Sequence, residues 1–283
     1  MTELDLPSGD GILHAYDAGG AGGDLLPVLW FHGTPGVGAP PAPLLALAGR
    51  LRLRWVGYDR PGYGGSTARP DRDAASAASD AARVADALGL TRFAVVGYSG
   101  GGPHALACAA QLSGRVVAAV SAGGLAPFGA AGLDWFAGMC ASGRASLRAA
   151  AAGREAKERH ERSGVDYDPE FVPSDHAAFA EGWGCLGDLV KLGQTHGPGP
   201  LIDDDLAYVR PWGFDPARIA VPVLVLHGTQ DRVVPAAHGA WLAQRCSTAE
   251  LRLFPDAGHV SVLRGVAAAL EWVRALDAGV GSL

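Results

Sequence analysis

Apolar residues in this chain fall into short dense runs separated by polar or glycine-rich stretches. Val28 to Phe31, Leu53 to Tyr58, Phe93 to Val96, Val116 to Ser121, Val223 to Leu226 and Leu251 to Phe254 are mostly apolar at consecutive positions. A half-buried strand would alternate; runs of this kind predict strands covered on both faces. Helical stretches lie between them. Ala74 to Leu88 has no proline or glycine, sets Val84 and Leu88 on one face and closes at Gly89. Pro103 to Leu112 is alanine-rich with proline in its first turn. Ala237 to Arg245 and Val262 to Leu276 follow near the C-terminus. Strand and helix alternate, so the fold class is α/β, with a mostly parallel sheet flanked by helices.

The alternation is interrupted once. Residues 126–212 contain no strand-like run, only helical material at Leu133 to Ala141, Ser146 to Arg162 and Ser174 to Leu192. This predicts a helical cap (126–212) inserted between strands of a core built from 1–125 and 213–283. An insert at the C-terminal edge of the strands would cover the place where open α/β sheets bind ligands.

Composition narrows the class of protein. The chain has 283 residues, 48% hydrophobic and 18% charged, with net charge −6. It is too apolar for a disordered chain and long enough for a sizeable core. No basic stripe suggests a nucleic-acid partner. No apolar run approaches the length of a membrane span, and the acidic start lacks a signal-peptide pattern. A cytoplasmic protein without a membrane association is therefore expected. Cys108, Cys140, Cys185 and Cys246 lie far apart with no CxxC or CxxH spacing, and read as free thiols. The acidity is uneven: the predicted cap has thirteen acidic and eight basic residues, net −5, and the core is close to neutral. That balance predicts a bias against strongly anionic ligands.

The chemistry gathers at strand ends. Gly97-Tyr98-Ser99-Gly100-Gly101 matches G-x-S-x-G, with a strand before it and a helix after. Such a turn lifts a serine hydroxyl out of the sheet and tolerates only small residues two positions to either side. Phosphate-loop patterns do not fit the same glycines. His32-Gly33-Thr34-Pro35-Gly36 follows another strand. Its Thr34 N–H, together with the Gly100 N–H, is placed to hold a developing oxyanion, because Pro35 has no N–H to offer. Asp231 and His259 lie on loops after two later strands. A serine needs an adjacent base, histidine has a suitable pKa, and a carboxylate fixes its tautomer. Ser, Asp and His follow in the chain order expected of such a site.

Taken together, HGTPG at 32–36, DRPGYGGS at 59–66, GYSGGG at 97–102, HGTQDRVVP at 227–235 and GHVS at 258–261 resemble the α/β-hydrolase superfamily over nearly the whole chain. The resemblance implies an eight-stranded, mostly parallel sheet. It implies Ser99 as nucleophile, Asp231 as acid, His259 as base, and Thr34 and Gly100 as oxyanion donors. No cofactor or metal is expected. A serine at position 99 departs from the branches with an aspartate nucleophile. Gly100 is unlike the methionine or tryptophan of the perhydrolase-like and proline iminopeptidase-like branches. The expected activity is hydrolysis of a small carboxylic ester, thioester or lactone, the substrate being neutral and partly apolar. Carbon–carbon bond or small-amide hydrolysis on the same triad, and ligand binding with slow turnover, are the alternatives.

Other residues have less specific readings. Trp135, Met139, Phe179 and Trp183, with Phe136 and Leu186, are expected either to line a substrate pocket or to pack the underside of the cap. His32 is expected to stabilise a turn, His104 to be a satisfied core or helix-flank histidine, and Arg60 and Tyr63 to pack rather than touch substrate. His160, His176 and His196 lack metal-ligand spacing. The run Arg154 to Arg162 reads as a solvated helix face, and Asp203-Asp204-Asp205 as an exposed turn or helix start.

Overall fold

The computed structural model describes residues 1–19 and 25–280. The chain opens with strands β1 (Thr2–Ser8) and β2 (Gly11–Asp17), then β3 (Leu26–Phe31) and two single-turn helices, α1 (Ala42–Leu45) and α2 (Ala48–Leu51). Strand β4 (Leu53–Tyr58), helix α3 (Ser76–Ala87), strand β5 (Phe93–Tyr98), helix α4 (Gly101–Gln111) and strand β6 (Val116–Ala122) complete the first half. Helices α5 (Ala141–Ala151), α6 (Arg154–Arg162), α7 (Pro173–Ala178), α8 (Cys185–Gly193) and α9 (Gly199–Val209) follow without a strand among the described residues. The chain then returns through β7 (Val223–Gly228), α10 (Ala236–Arg245), β8 (Ala249–Phe254) and α11 (Val266–Val280).

The strands form one eight-stranded sheet in the order β1-β2-β4-β3-β5-β6-β7-β8. Strand β2 runs antiparallel to β1 and β4, and every other pairing is parallel. Strands β5, β6 and β7 are buried at every position, which explains their uninterrupted apolar runs. The two-residue period sorts their side chains. Phe93 and Val95 join a cluster with α3, α4 and α10, whereas Ala94 and Val96 join one with α11. The β1–β2 hairpin was not legible as strands, because at the sheet edge β1 is half polar and mostly exposed.

The helical stretch between β6 and β7 differs in detail from expectation. Residues 133–140 form turns, not a helix, and the first helix begins at Ala141. Ser146 to Arg162 is two helices separated at Gly153, whose φ of 108° ends the first. The tri-aspartate lies in the middle of α9 and is buried, not exposed. In α6 the outward face is charged as expected, but Lys157 is completely buried. No helix among the described residues is long and apolar enough to cross a membrane.

Candidate active site

The sheet order reverses direction around β3: the chain goes from β3 to β4 on one side and then to β5 on the other. Loops leaving β3 and β5 therefore diverge and open a crevice at the C-terminal edge, where ligands bind in sheets of this kind. Ser99 stands directly after β5 with φ 54°, a strained left-handed conformation for a residue with a side chain. The flanking glycines make the turn possible. A Cβ on Gly97 would overlap the Gly101 carbonyl, and one on Gly101 would overlap the Phe31 carbonyl.

Ser99 Oγ lies 2.8 Å from His259 Nε2. His259 Nδ1 lies 2.7 Å from Asp231 Oδ2; a carboxylate only accepts, so Nδ1 carries the proton and Nε2 is free to accept from Ser99. The other Asp231 oxygen accepts from the Val233 and Val234 amides at 2.9 and 2.8 Å, which fixes the carboxylate. Tyr98 packs on the His259 ring at 5.2 Å between centroids. The structure thus brings Ser99, His259 and Asp231 from three separate loops into one chain of contacts.

Thr34 and Gly100 also meet beside Ser99. A Cβ on Gly100 would overlap both Thr34 Oγ1 and the Tyr208 hydroxyl, so glycine is required there for space. That gives a physical reason for the absence of a larger residue after the serine. Tyr208 OH, on α9, donates to the Gly100 carbonyl at 3.0 Å and lies 2.6 Å from Thr34 Oγ1. Thr34 Oγ1 in turn donates to Asp204 Oδ2 at 2.6 Å.

Beneath these loops lies a buried ionic cluster. Arg60 donates to Asp204 through Nη2 at 2.6 Å and to the Gly33 carbonyl at 2.9 Å, and Tyr63 OH donates to Asp204 at 2.9 Å. Arg72 Nη1 is 2.6 Å from the other Asp204 oxygen, an ion pair not aligned as a hydrogen bond. Burial opposes ionisation of Asp204, yet Arg60 and Arg72 outweigh it and hold its carboxyl well below the usual range. Arg60 and Tyr63 are both fully covered and do not line the cavity, but they serve as hydrogen-bond partners of Asp204 rather than as simple packing. His32 accepts from the Arg60 amide and donates to the Gly33 carbonyl, and His104 donates to the Gly100 carbonyl at 2.8 Å. Burial holds His32 well below its ordinary pKa and His104 down at about 3, so both are neutral turn supports.

A cavity of about 720 Å³ opens on Ser99 and His259. Its apolar wall includes Leu125, Phe171, Phe179, Leu186 and Val190. Ser146, Glu161 and Asp205 form a polar wall, behind which Lys157 reaches both carboxylates at 2.6 Å. Phe179 thus lines the cavity, but Trp135, Met139 and Trp183 do not. Trp135 and Met139 are buried in the sheet's α3–α4–α10 cluster, where the indole donates to the Ala126 carbonyl at 2.8 Å. Trp183 packs into the opposite cluster with Val28 and Leu44. Large side chains in an insert do not by themselves indicate a pocket, because the insert must also bury a face against the core.

Sequence reasoning missed Asp175, Asp204, Tyr208 and Lys157. Asp175 is buried on α7 and accepts from the amides of His259, Val260 and Ser261 at 3.2, 2.9 and 2.8 Å, and from Ser261 Oγ at 2.8 Å. Nothing in the local sequence announces such roles: Asp175 meets the His259 loop, and Asp204 and Tyr208 meet Thr34, across more than 80 positions of chain.

Residues 27–161 match the family described as the alpha/beta hydrolase fold. Lipase 10 of Candida albicans is 29% identical over 116 residues, which cover 39% of this chain and 23% of that lipase. Among solved structures, a thermophilic esterase from Thermogutta terrifontis superposes with TM-score 0.69 at 22% identity, covering 98% of this chain and 99% of the esterase. The enol-lactonase from Burkholderia xenovorans superposes with TM-score 0.71 at 19% identity, covering 97% and 99%. The partial family match, the sheet order and these superpositions agree on one fold for this chain, the α/β-hydrolase fold.

Proposed function

We propose that the protein is a serine hydrolase cleaving a small carboxylic ester, thioester or lactone through an acyl-enzyme on Ser99. The observation that carries this reading is the continuous Ser99–His259–Asp231 arrangement, with Oγ–Nε2 at 2.8 Å, opening into the cavity. His259 takes the Ser99 proton as Oγ attacks the carbonyl, and the Asp231 carboxylate stabilises the imidazolium. The oxyanion lies against the Thr34 and Gly100 amides, neither of which donates to another group among the described residues. His259 then protonates the leaving group, activates water and returns the enzyme to its starting state. The similarity to an esterase, an enol-lactonase and a lipase supports an acyl ester substrate over an amide.

The wall favours a neutral, partly apolar acyl group. The charged lining residues Glu161, Asp166 and Asp205 are all acids, and no lysine or arginine joins them at the cavity surface among the described residues. Parallel assays with short-chain aryl esters, lactones, thioesters, anilides and vinylogous diketones test the reading. The expected result is turnover of an ester or lactone, and a fall on the order of 10⁴-fold or more in Ser99→Ala. Unchanged ester turnover in that variant, or cleavage of the diketone alone, would overturn it.

A further inference from the structure

We propose that the helical insert is a fixed part of the catalytic apparatus, in which Asp175 positions the His259 loop while Asp204 and Tyr208 position Thr34 and Gly100. The proposal rests on the triad reading above and asks what holds its parts in place. At both loops the same device appears: a glycine leaves space that a polar side chain of the insert occupies.

A Cβ on Gly258 would overlap the Asp175 carboxylate, just as one on Gly100 would overlap Tyr208. Asp175 enters beside Gly258 and collects three consecutive amides, including that of His259 itself. Ser261 Oγ, which donates to Asp175, accepts from the Gly258 amide at 2.8 Å, closing the loop on itself. These amides are buried at a strand-to-helix corner and have no ladder partner, so an acceptor must come from elsewhere. A carboxylate serves several of them at once.

The other arm runs through α9. Asp204 and Tyr208 are one helical turn apart and therefore share a face. Asp204 fixes the Thr34 hydroxyl, and Tyr208 reaches both Thr34 Oγ1 and the Gly100 carbonyl. One rigid helix thus ties together the two peptide segments that supply the proposed oxyanion donors. What is held in each arm is the backbone of a reacting residue, and a misplacement of about 1 Å at such a point costs on the order of 100-fold in rate. The buried acids of the insert also account for part of its negative charge: they are anchors, not a repulsive surface.

The test compares Tyr208→Phe, Thr34→Val, Thr34→Ser, Asp175→Asn and Asp175→Ala, with Glu155→Gln on the exposed face of α6 as control. Competent serines are counted by titration to completion with an organophosphonate, and kcat and KM for 4-nitrophenyl acetate are expressed per titrated site. Positioning predicts that Tyr208→Phe and Thr34→Val lose about tenfold in kcat with KM within about twofold, less than the loss of a direct donor. Thr34→Ser restores the hydroxyl and stays within about twofold of wild type. Asp175→Asn, which keeps one acceptor oxygen, falls between wild type and Asp175→Ala. Kcat per titrated site unchanged in Tyr208→Phe, Thr34→Val and Asp175→Ala, with only Tm lowered, would sink this proposal alone. Failure of the wild type to titrate, or full activity in Ser99→Ala, would sink the triad reading and this one with it.

Discussion

The sheet and the helical insert bury opposite kinds of side chain. Strands β5 and β7 and the helices that cover them meet in two apolar clusters, one on each face. The insert's own apolar cluster is small, Ala150, Ile202 and Leu206 with Val209 against it. Its larger apolar residues, such as Trp135, Met139 and Trp183, join the sheet's clusters, and within its own body it buries charge: Asp175, Asp203, Asp204, Asp205 and Lys157. Apolar burial is strong but non-directional, at about 1.5–3 kcal/mol per large side chain. Buried ion pairs contribute little net stability, because desolvation consumes most of the attraction. They are directional, however, so they set where the insert sits on the core.

The sharpest way to break this comparison is to remove one partner of the buried cluster. Arg72→Met leaves Asp204 with reduced compensation and is expected to cost about 3–5 kcal/mol in urea unfolding. Leu29→Ala in the sheet is expected to cost about 2–5 kcal/mol, by creating a cavity rather than an unpaired charge. A loss below about 1 kcal/mol for Arg72→Met would mean that the insert is not held by this cluster.

Acid should act first through buried neutral histidines rather than through the paired acids of the insert. His104 donates to the Gly100 carbonyl and His238 accepts from the Ala126 amide and donates to the Trp135 carbonyl, and burial first of all pushes them down to about 3 and about 4. Unfolded, both protonate near pH 6.5. Below that pH the unfolded chain binds more protons than the folded one, so stability falls as pH drops. Each histidine accounts for a loss of about 2 kcal/mol between pH 7 and pH 5. A Tm constant over that interval would show that these imidazoles are charged or exposed.

A smaller effect separates surface charge from buried charge. The insert's −5 already counts Arg154 and Lys157 against Asp203 and Asp205. Core arginines offset it further, Arg60 and Arg72 at Asp204, Arg232 at Glu170 and Arg264 at Glu181, so much of it never reaches the ligand. The preference for a neutral ester over a matched anionic one is therefore expected to be only about fivefold at low salt, shrinking as salt rises. Discrimination that is absent at low salt, or unaffected by salt, would place the selectivity in shape alone. The exposed Glu155–Arg159 pair on α6 marks the low end, and Glu155→Gln should leave Tm within about 1 °C.

The consecutive apolar runs of β3 to β7 were legible because a strand buried on both faces has no polar alternative, and the G-x-S-x-G turn because crowding there admits only glycine at two points. The hairpin β1–β2 was not, since an edge strand tolerates many residues. Nor was the role of Asp203 to Asp205. Three acids in a row look solvated until their partners at Arg60, Arg72, Arg154 and Lys157 are known. Trp135, Met139 and Trp183 failed as pocket candidates for a related reason: size predicts burial, not which surface is buried against.

Local chemistry thus determined what each strand-end loop carries: Ser99 on a glycine-bounded turn, Asp231 and His259 on later loops, and an HGTPG turn beside them. Backbone sterics and hydrophobic burial act over a few residues and leave their mark in the order of the letters. Which groups hold those loops in place was decided only by the tertiary structure. Thr34 meets Asp204 across 170 positions of chain and His259 meets Asp175 across 84. A charge–dipole contact depends on distance in space, and nothing in the spacing of the residues along the chain records it.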